Sequence, residues 1–403
     1  MLEWIQINAF YLIIPLVSGL VGWGTNVLAL RMTFYPTEFW GLPPFFGWQG
    51  IIPAKAGVMA EKAVDLITSK LLDIKEVFAR INPKKVAAII EPEMMRLTQT
   101  ITNEAMRAQA PLMWKAVPNG VKQRIFDNIA KELAPIVENM MQEIKSHITE
   151  LFDVKTMVVA ALTRDKNLLN DIFRKVGDQE FKFIARSGFF FGFFFGLIQM
   201  TICFFYNPWW MLPLAGLLVG YATNWLALKL IFEPVEPKQV FGYKVQGLFM
   251  KRQASVAKEY AEIITAEILT VPNMFDAILH GEASEQLTQI IKKYVEQAVD
   301  ITADYAGNSF KIIVGTKKYN IIKNIATWSL IQEIPMLIAY LYPYTEEALD
   351  LKNTLTTKMT NLPAVEFQGF LRPVFQEDEF KLIIVGALLG CLAGVTQLYF
   401  LFP

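Results

Sequence analysis

Gly22-Trp23-Gly24-Thr25-Asn26-Val27-Leu28-Ala29-Leu30-Arg31 returns later in the chain as Gly220-Tyr221-Ala222-Thr223-Asn224-Trp225-Leu226-Ala227-Leu228-Lys229, at a constant offset of 198 residues. Each stretch is an apolar run carrying one amide and closed by one cation. The offset persists at Phe34/Phe232 and Pro36/Pro234, then becomes 197 at Gln49-Gly50/Gln246-Gly247 and at Lys55/Arg252. The helical stripe Ala60, Ala63, Ile67, Leu71 matches Ala257, Tyr260, Ile264, Ile268. At the far end Gly188, Gly192, Gly196 and Gln199 fall on Gly386, Gly390, Gly394 and Gln397, again at 198. A repeat this long fixes the organisation before any single motif does. The chain reads as two copies of one unit, 7–206 and 211–403.

Charge is distributed unevenly. Of the 403 residues 53% are hydrophobic and only 19% charged, against about 25% charged in an average soluble domain. Residues 1–30 hold no Lys or Arg and one acid, Glu3, while 187–228 and 382–403 hold no charge at all. A helix crosses a bilayer core with roughly 20 apolar residues. The uncharged blocks therefore hold four transmembrane spans, at 7–30, 187–206, 211–228 and 382–402. The long middle block breaks at Asn207-Pro208-Trp209-Trp210. The first span lacks a basic leader and exceeds the apolar core of a signal peptide, so it is expected to be retained.

Each unit is span, polar segment, span. An even number of spans makes the copies parallel, with their axis along the membrane normal, and puts the polar segments 36–182 and 234–379 on one side. Arg31, Lys182, Arg186, Lys229 and Lys381 flank those segments, and the opposite span ends carry no cation. The positive-inside rule then makes the polar segments cytoplasmic lobes and leaves both termini outside.

The lobes read as helix. Apolar residues recur every three or four positions from Ala60 to Phe78. A second stripe runs Val121, Ile125, Ile129, Leu133, Val137, Met140, Ile144, Ile148, Leu151, about 45 Å at helical rise. No stretch shows a period-two run. The expectation is an all-α integral membrane protein, a tandem parallel duplication with four transmembrane helices and two long helical cytoplasmic lobes. Tyr35–Pro53 and Phe232–Met250, rich in Pro, Gly and aromatic residues, read as loops at headgroup level, where Trp and Tyr are favoured.

Several functions are disfavoured. Lys plus Arg equals Asp plus Glu at 38 each, so no basic excess points to nucleic acid. Two Cys and two His leave no disulfide framework and no metal cluster, and no cofactor is expected. There is no Gly-x-Ser-x-Gly, Walker loop or His-Glu-x-x-His. His147 and His280 are isolated and read as surface residues, and Cys203 and Cys391 as packing residues within spans. The expectation is a protein without catalytic residues.

The remaining candidates are structural or lipid-facing. Asn26 and Asn224, near the cytoplasmic ends of their spans, need partners inside the bilayer. They serve either as interhelical glue or as lining for a solute path. Gly188/Gly192/Gly196 and Gly386/Gly390/Gly394 are ladders of small residues that let helix backbones approach closely. They pack either within the chain or between copies in a homo-oligomer. Arg31 and Lys229 suit interfacial anchoring with their stems in the bilayer. Together with Trp48, Phe241, Lys55 and Arg252 they form the candidate lipid contacts. The reading is a non-enzymatic inner-membrane scaffold or tether that contacts membrane lipid. The alternative is a small-solute transporter or channel on a pseudo-twofold bundle.

Thr223-Asn224-Trp225-Leu226-Ala227-Leu228-Lys229, followed by Phe232-Glu233-Pro234, together with Gly50-Ile51-Ile52-Pro53, resembles the bacterial membrane proteins grouped as domain of unknown function family 445. The closing helix with repeated glycines is similar as well. The second copy departs at Gly247-Leu248-Phe249-Met250, which lacks the proline. The resemblance implies a bacterial inner-membrane protein and brings no established activity. The predicted topology is testable with single cysteines: one at Asn207 should react with an impermeant thiol reagent in intact spheroplasts, and one at Ser146 only after lysis. The reverse pattern would overturn the orientation.

Overall fold

In lipid a backbone must satisfy its own hydrogen bonds, which a helix does. All four uncharged blocks are helical and extend past their apolar runs, as Leu2–Phe34, Asp178–Phe205, Met211–Phe232 and Glu379–Leu401. The extensions suit the helix dipole: Asp178, Glu180 and Glu379 sit in first turns, Arg31 and Lys229 in last turns. The computed structural model describes residues 2–42, 46–206, 208–240, 242–305, 314–376 and 379–401, so Asn207, Phe241, Glu377, Asp378 and Phe402 lie outside the described residues. Four of the described helices are long and apolar enough to cross a membrane. The chain is a helical membrane protein.

By packing, the chain divides into two compact units. The first is Met1–Leu66, Val159–Ile264 and Leu355–Pro403, and holds the four spans; the second is Ile67–Val158 and Thr265–Thr354.

In the first unit the spans pair first with second and third with fourth. The glycine ladders make these pairs, within the chain. A Cβ on Gly22 would fall on the Gly188 carbonyl, and one on Gly192 on the Ser18 carbonyl. One on Gly196 would lie 2.6 Å from Pro15 Cα. In the other pair a Cβ on Gly220 would fall on the Gly386 carbonyl, one on Gly216 on that of Gly390, and one on Gly394 on that of Leu212. Small residues do this work because lipid is as apolar as Leu, so span pairing rests on close van der Waals approach.

Two short hairpins depart from the all-helical expectation. Trp40–Leu42 pairs antiparallel with Phe46–Trp48, and Lys238–Val240 with Tyr243–Val245. Strands of three residues are too short for alternation to register in the sequence. Gly242, at φ 82°, closes the second turn in a conformation that side chains disfavour.

The second unit is a four-helix bundle. Pro83–Gln109 packs on Asn119–Ser146 and on Thr316–Ala339, and Ser284–Tyr305 packs on the same two. Asn82 starts the first of these by accepting from Lys84 N at 3.0 Å, with Pro83 at the first helical position. Asn119–Ser146 continues through Pro135. Two lobes were expected, yet the distal parts of both polar segments share this one bundle. A pair of amphipathic helices from one segment has an apolar face that it cannot bury alone.

Gly22→Val and Gly216→Val should each destabilise the solubilised protein, by roughly 1–3 kcal/mol as overpacking does. Gly24→Ala, with nothing within 4 Å of its Cβ, should not. Thermal unfolding in detergent checks this, and equal effects at both kinds of site would refute the ladder assignment.

Candidate functional site

Where a membrane helix ends, its last carbonyls lose their helical partners. Asn170, in Lys166–Val176, donates from Nδ2 to the Phe34 carbonyl at 2.8 Å; Gln368, in Ala364–Gln376, donates from Nε2 to the Phe232 carbonyl at 3.3 Å. One turn further along each helix stands an arginine. Arg174 Nη1 donates to the Tyr35 hydroxyl at 2.7 Å, with its guanidinium 5.8 Å from the Tyr35 ring centre. Arg372 Nη2 pairs with Glu233 Oε1 at 3.2 Å. The chain between is folded alike at both places: Gly50 N donates to Pro36 O and Gly247 N to Pro234 O, each at 2.9 Å, while Gln49 and Gln246 donate to Thr37 O and Val235 O. Each of these span ends therefore has a collar made of a Phe-x-Pro turn, a hairpin, a Gln-Gly loop and an amide-plus-arginine helix.

The predicted site residues distribute around the collars. Arg31 is exposed, and among the described residues its guanidinium has no partner. Lys229 lies 4.8 Å over the Trp225 ring and 4.0 Å from Glu233, too loose and exposed to add much stability. Trp48 is half-buried, donates from Nε1 to Met32 O at 3.1 Å and packs beside Ala29, Ile51 and Leu382. The outward aromatic of that hairpin is Trp40, 78% exposed, with Leu42 at 75%; in the second hairpin it is Tyr243, at 78%. Lys55 is half-buried where Ile51–Ala54 ends.

Arg252, a candidate lipid contact, is spent on protein. Its Nη1 lies 2.8 and 2.6 Å from the two Glu180 oxygens, and Nη2 3.4 Å from Glu259. Glu180 is only 5% exposed, so the pair ties the foot of a span to the start of Gln253–Glu267. Next to it, Gln253 donates to the carbonyls of Met359, Thr360 and Leu362. A guanidinium engaged in this way has little left for a headgroup.

Asn26 and Asn224 occupy matching positions inside the bundle of spans. Each is buried and donates from Nδ2 to a carbonyl of the paired span, Ile184 at 2.7 Å and Leu382 at 2.9 Å. Ser18 donates to Gln199 at 3.1 Å in the same seam. Among the described residues no three His, Cys, Asp or Glu come together as a metal-holding group.

Sequence reading missed Asn170, Arg174, Gln368, Arg372 and Glu180. The signal was present for the first four, since Asn170/Gln368 and Arg174/Arg372 keep the same offset of 198. It was hidden because the pairs lie in polar amphipathic segments where such residues are common.

The spans and their collars define a multi-pass helical membrane protein. No protein-family model matches the chain, so the family that the Thr-Asn motif resembles has no such match behind it, and no solved structure matches either. Parts of the chain are similar to bacterial proteins called UPF0754 membrane protein. One from Synechococcus sp. is 43% identical over 61 residues, 14% of this chain and 15% of that one. One from Trichodesmium erythraeum is 28% identical over 129 residues, 31% of this chain and 30% of that one. One from Bacillus pumilus is 28% identical over 89 residues, 21% and 24%. The matched stretches thus cover well under half of each relative.

Breaking the Arg252–Glu180 pair should be costly, because it strands a buried carboxylate. Arg252→Met is expected to lose roughly 3–5 kcal/mol, and Arg252→Met with Glu180→Leu to recover most of that. Chemical unfolding of the solubilised protein checks both, and an unchanged single variant would show that the pair clamps nothing.

Proposed function

We propose that the protein is a non-enzymatic scaffold of the bacterial inner membrane that holds lipid headgroups at its two collars. The observation that carries this is the recurrence of an arginine, Arg174 or Arg372, on the helix whose amide caps a span bearing its own cation, Arg31 or Lys229. Anionic lipids of the cytoplasmic leaflet attract such residues at about 1 kcal/mol each. The hairpins add to the fit. Trp40 and Leu42 offer apolar surface beside one span end, and Tyr243 with Lys238 and Lys244 a more polar surface beside the other.

The same contacts support a tandem parallel duplication with repeats 7–206 and 211–403. The amide caps join residues 136 apart in both halves, the arginine contacts 139 apart, and the asparagine contacts 158 apart. Cations at the collar ends support cytoplasmic polar segments and outward termini. The glycine ladders are occupied within the chain, so a homo-oligomer would join through lipid-facing residues such as Phe190, Phe194 and Leu392. Their close approach also favours scaffold over solute path.

Arg174→Gln with Arg372→Gln should strip most co-purified phosphatidylglycerol and leave phosphatidylethanolamine unchanged, as read by mass spectrometry of extracted lipid. Trp40→Ser with Tyr243→Ser should instead weaken retention of both. Full retention of phosphatidylglycerol in the arginine variant would overturn the headgroup role.

A further inference from the structure

The four-helix bundle of the second unit has two partly open apolar cavities along its middle. One cavity of about 150 Å³ is lined from all four long helices by residues such as Ile101, Ile129, Ala298 and Ile322. A second, of about 130 Å³, adjoins it and is lined by Val86, Ile144, Leu287 and Ile334 among others. The two share Met94, Val137, Met140 and Leu330, so flexible methionine side chains are part of the partition between them. An apolar space of about 150 Å³ is large enough to take up a benzene-sized apolar molecule. Here two lie end to end. From Val86 to Met106 along Pro83–Gln109 they extend over about 30 Å, comparable to a bilayer's hydrocarbon core, which is two chains thick. The site is therefore long, narrow and oily.

Its polar groups are placed to leave the interior apolar. Tyr294 donates its hydroxyl to Glu143 at 2.8 Å and Tyr319 to Asp300 at 2.6 Å, so both present their rings. Burial pushes both phenols up, which keeps them neutral. The exception is Lys145, which lines the second cavity. Its Nζ donates to the carbonyls of Ala79 at 2.9 Å and Ile81 at 2.6 Å. An ammonium has three donors, and among the described residues the third has no partner and the charge no counter-ion.

We propose that this cavity binds one long acyl chain carrying an anionic end group, with Lys145 as the partner of that end. One chain, roughly half as long as that hydrocarbon core is thick, fits within the joined cavities, and their lining matches its apolarity. The half-buried ammonium, pushed down by desolvation, gains the counter-charge it lacks. A free fatty acid and an acidic phospholipid offer the same chemistry. The proposal deepens the lipid-contacting reading but uses none of the collar residues, so the two fail separately.

The test uses the full chain in phosphatidylcholine nanodiscs with three photoreactive probes: palmitate, phosphatidylglycerol with a palmitoyl chain, and the uncharged palmityl alcohol. The expected result is crosslinking to peptides holding Met94, Met140 or Leu330, displaced by unlabelled palmitate. Labelling by palmitate alone names a free fatty acid as the ligand, and labelling by the phosphatidylglycerol probe names the phospholipid. Lys145→Met should cost about tenfold in the anionic probe's apparent affinity, one charge-assisted hydrogen bond, and leave the alcohol unaffected. Ala298→Trp should block all probes. Displacement by palmitate in the unaltered chain reads the site even where that variant does not fold. Crosslinks confined to the spans, or labelling indifferent to palmitate, would overturn the site. Equal loss of acid and alcohol in Lys145→Met would overturn the role given to Lys145.

Discussion

At Gly22 and Gly188, and again at Gly220, two helix backbones meet so closely that a single added carbon would strike a carbonyl oxygen, and at Gly386 it would strike the Asn224 amide. The remaining features of the membrane part depend on that approach. In water, helices are driven together by the apolar area they hide; in lipid that drive is absent. Close approach supplies dispersion contacts in its place. It also brings the side-chain amides of Asn26 and Asn224 within reach of carbonyls on the neighbouring span. A Leu at these glycines would separate the helices and leave both amides without partners in hydrocarbon.

The collars answer a second constraint, that helix ends carry unsatisfied carbonyls. Asn170 and Gln368 supply donors at Phe34 and Phe232. Once an amide is committed there, the residue one turn on is held beside the same helix end, and in both halves it is an arginine. A basic group is thus placed at a span end by a structural need, and that placement is what the proposed headgroup contact rests on. Arg372 also has a carboxylate partner, Glu233, but at 3.2 Å and half-exposed; the pair of Arg252 and Glu180 is shorter, at 2.6 Å, and buried, so that cation is consumed by the protein itself.

In the bundle, helices from the two polar segments complete one another. Each contributes two of the four long helices. Interiors are normally packed to crystal-like density, so apolar cavities along the axis mean that side chains from the two segments do not fill the space between them. Methionines at the junction can adapt to such a gap. A chain-shaped ligand satisfies the same shortage of atoms that a bulkier core residue would.

Much of this was legible in the sequence because it rests on composition and period. Spans follow from the absence of charge over 187–228 and 382–403, and the matched halves from an offset that survives through glycine, asparagine and arginine alike. Which residues are exposed and which pack against protein was not legible. Trp48 and Trp40 are both hairpin tryptophans, yet among the described residues only the first finds a carbonyl, that of Met32, to hold it in. Arg252 and Arg174 are both basic residues near span ends, and only the tertiary contact with Glu180 distinguishes them. The fusion of two expected lobes into one bundle was equally hidden. An amphipathic stripe states that a face will be buried, whereas the partner that buries it is chosen by the fold, where burial of both faces at once is lower in free energy than burial of either alone.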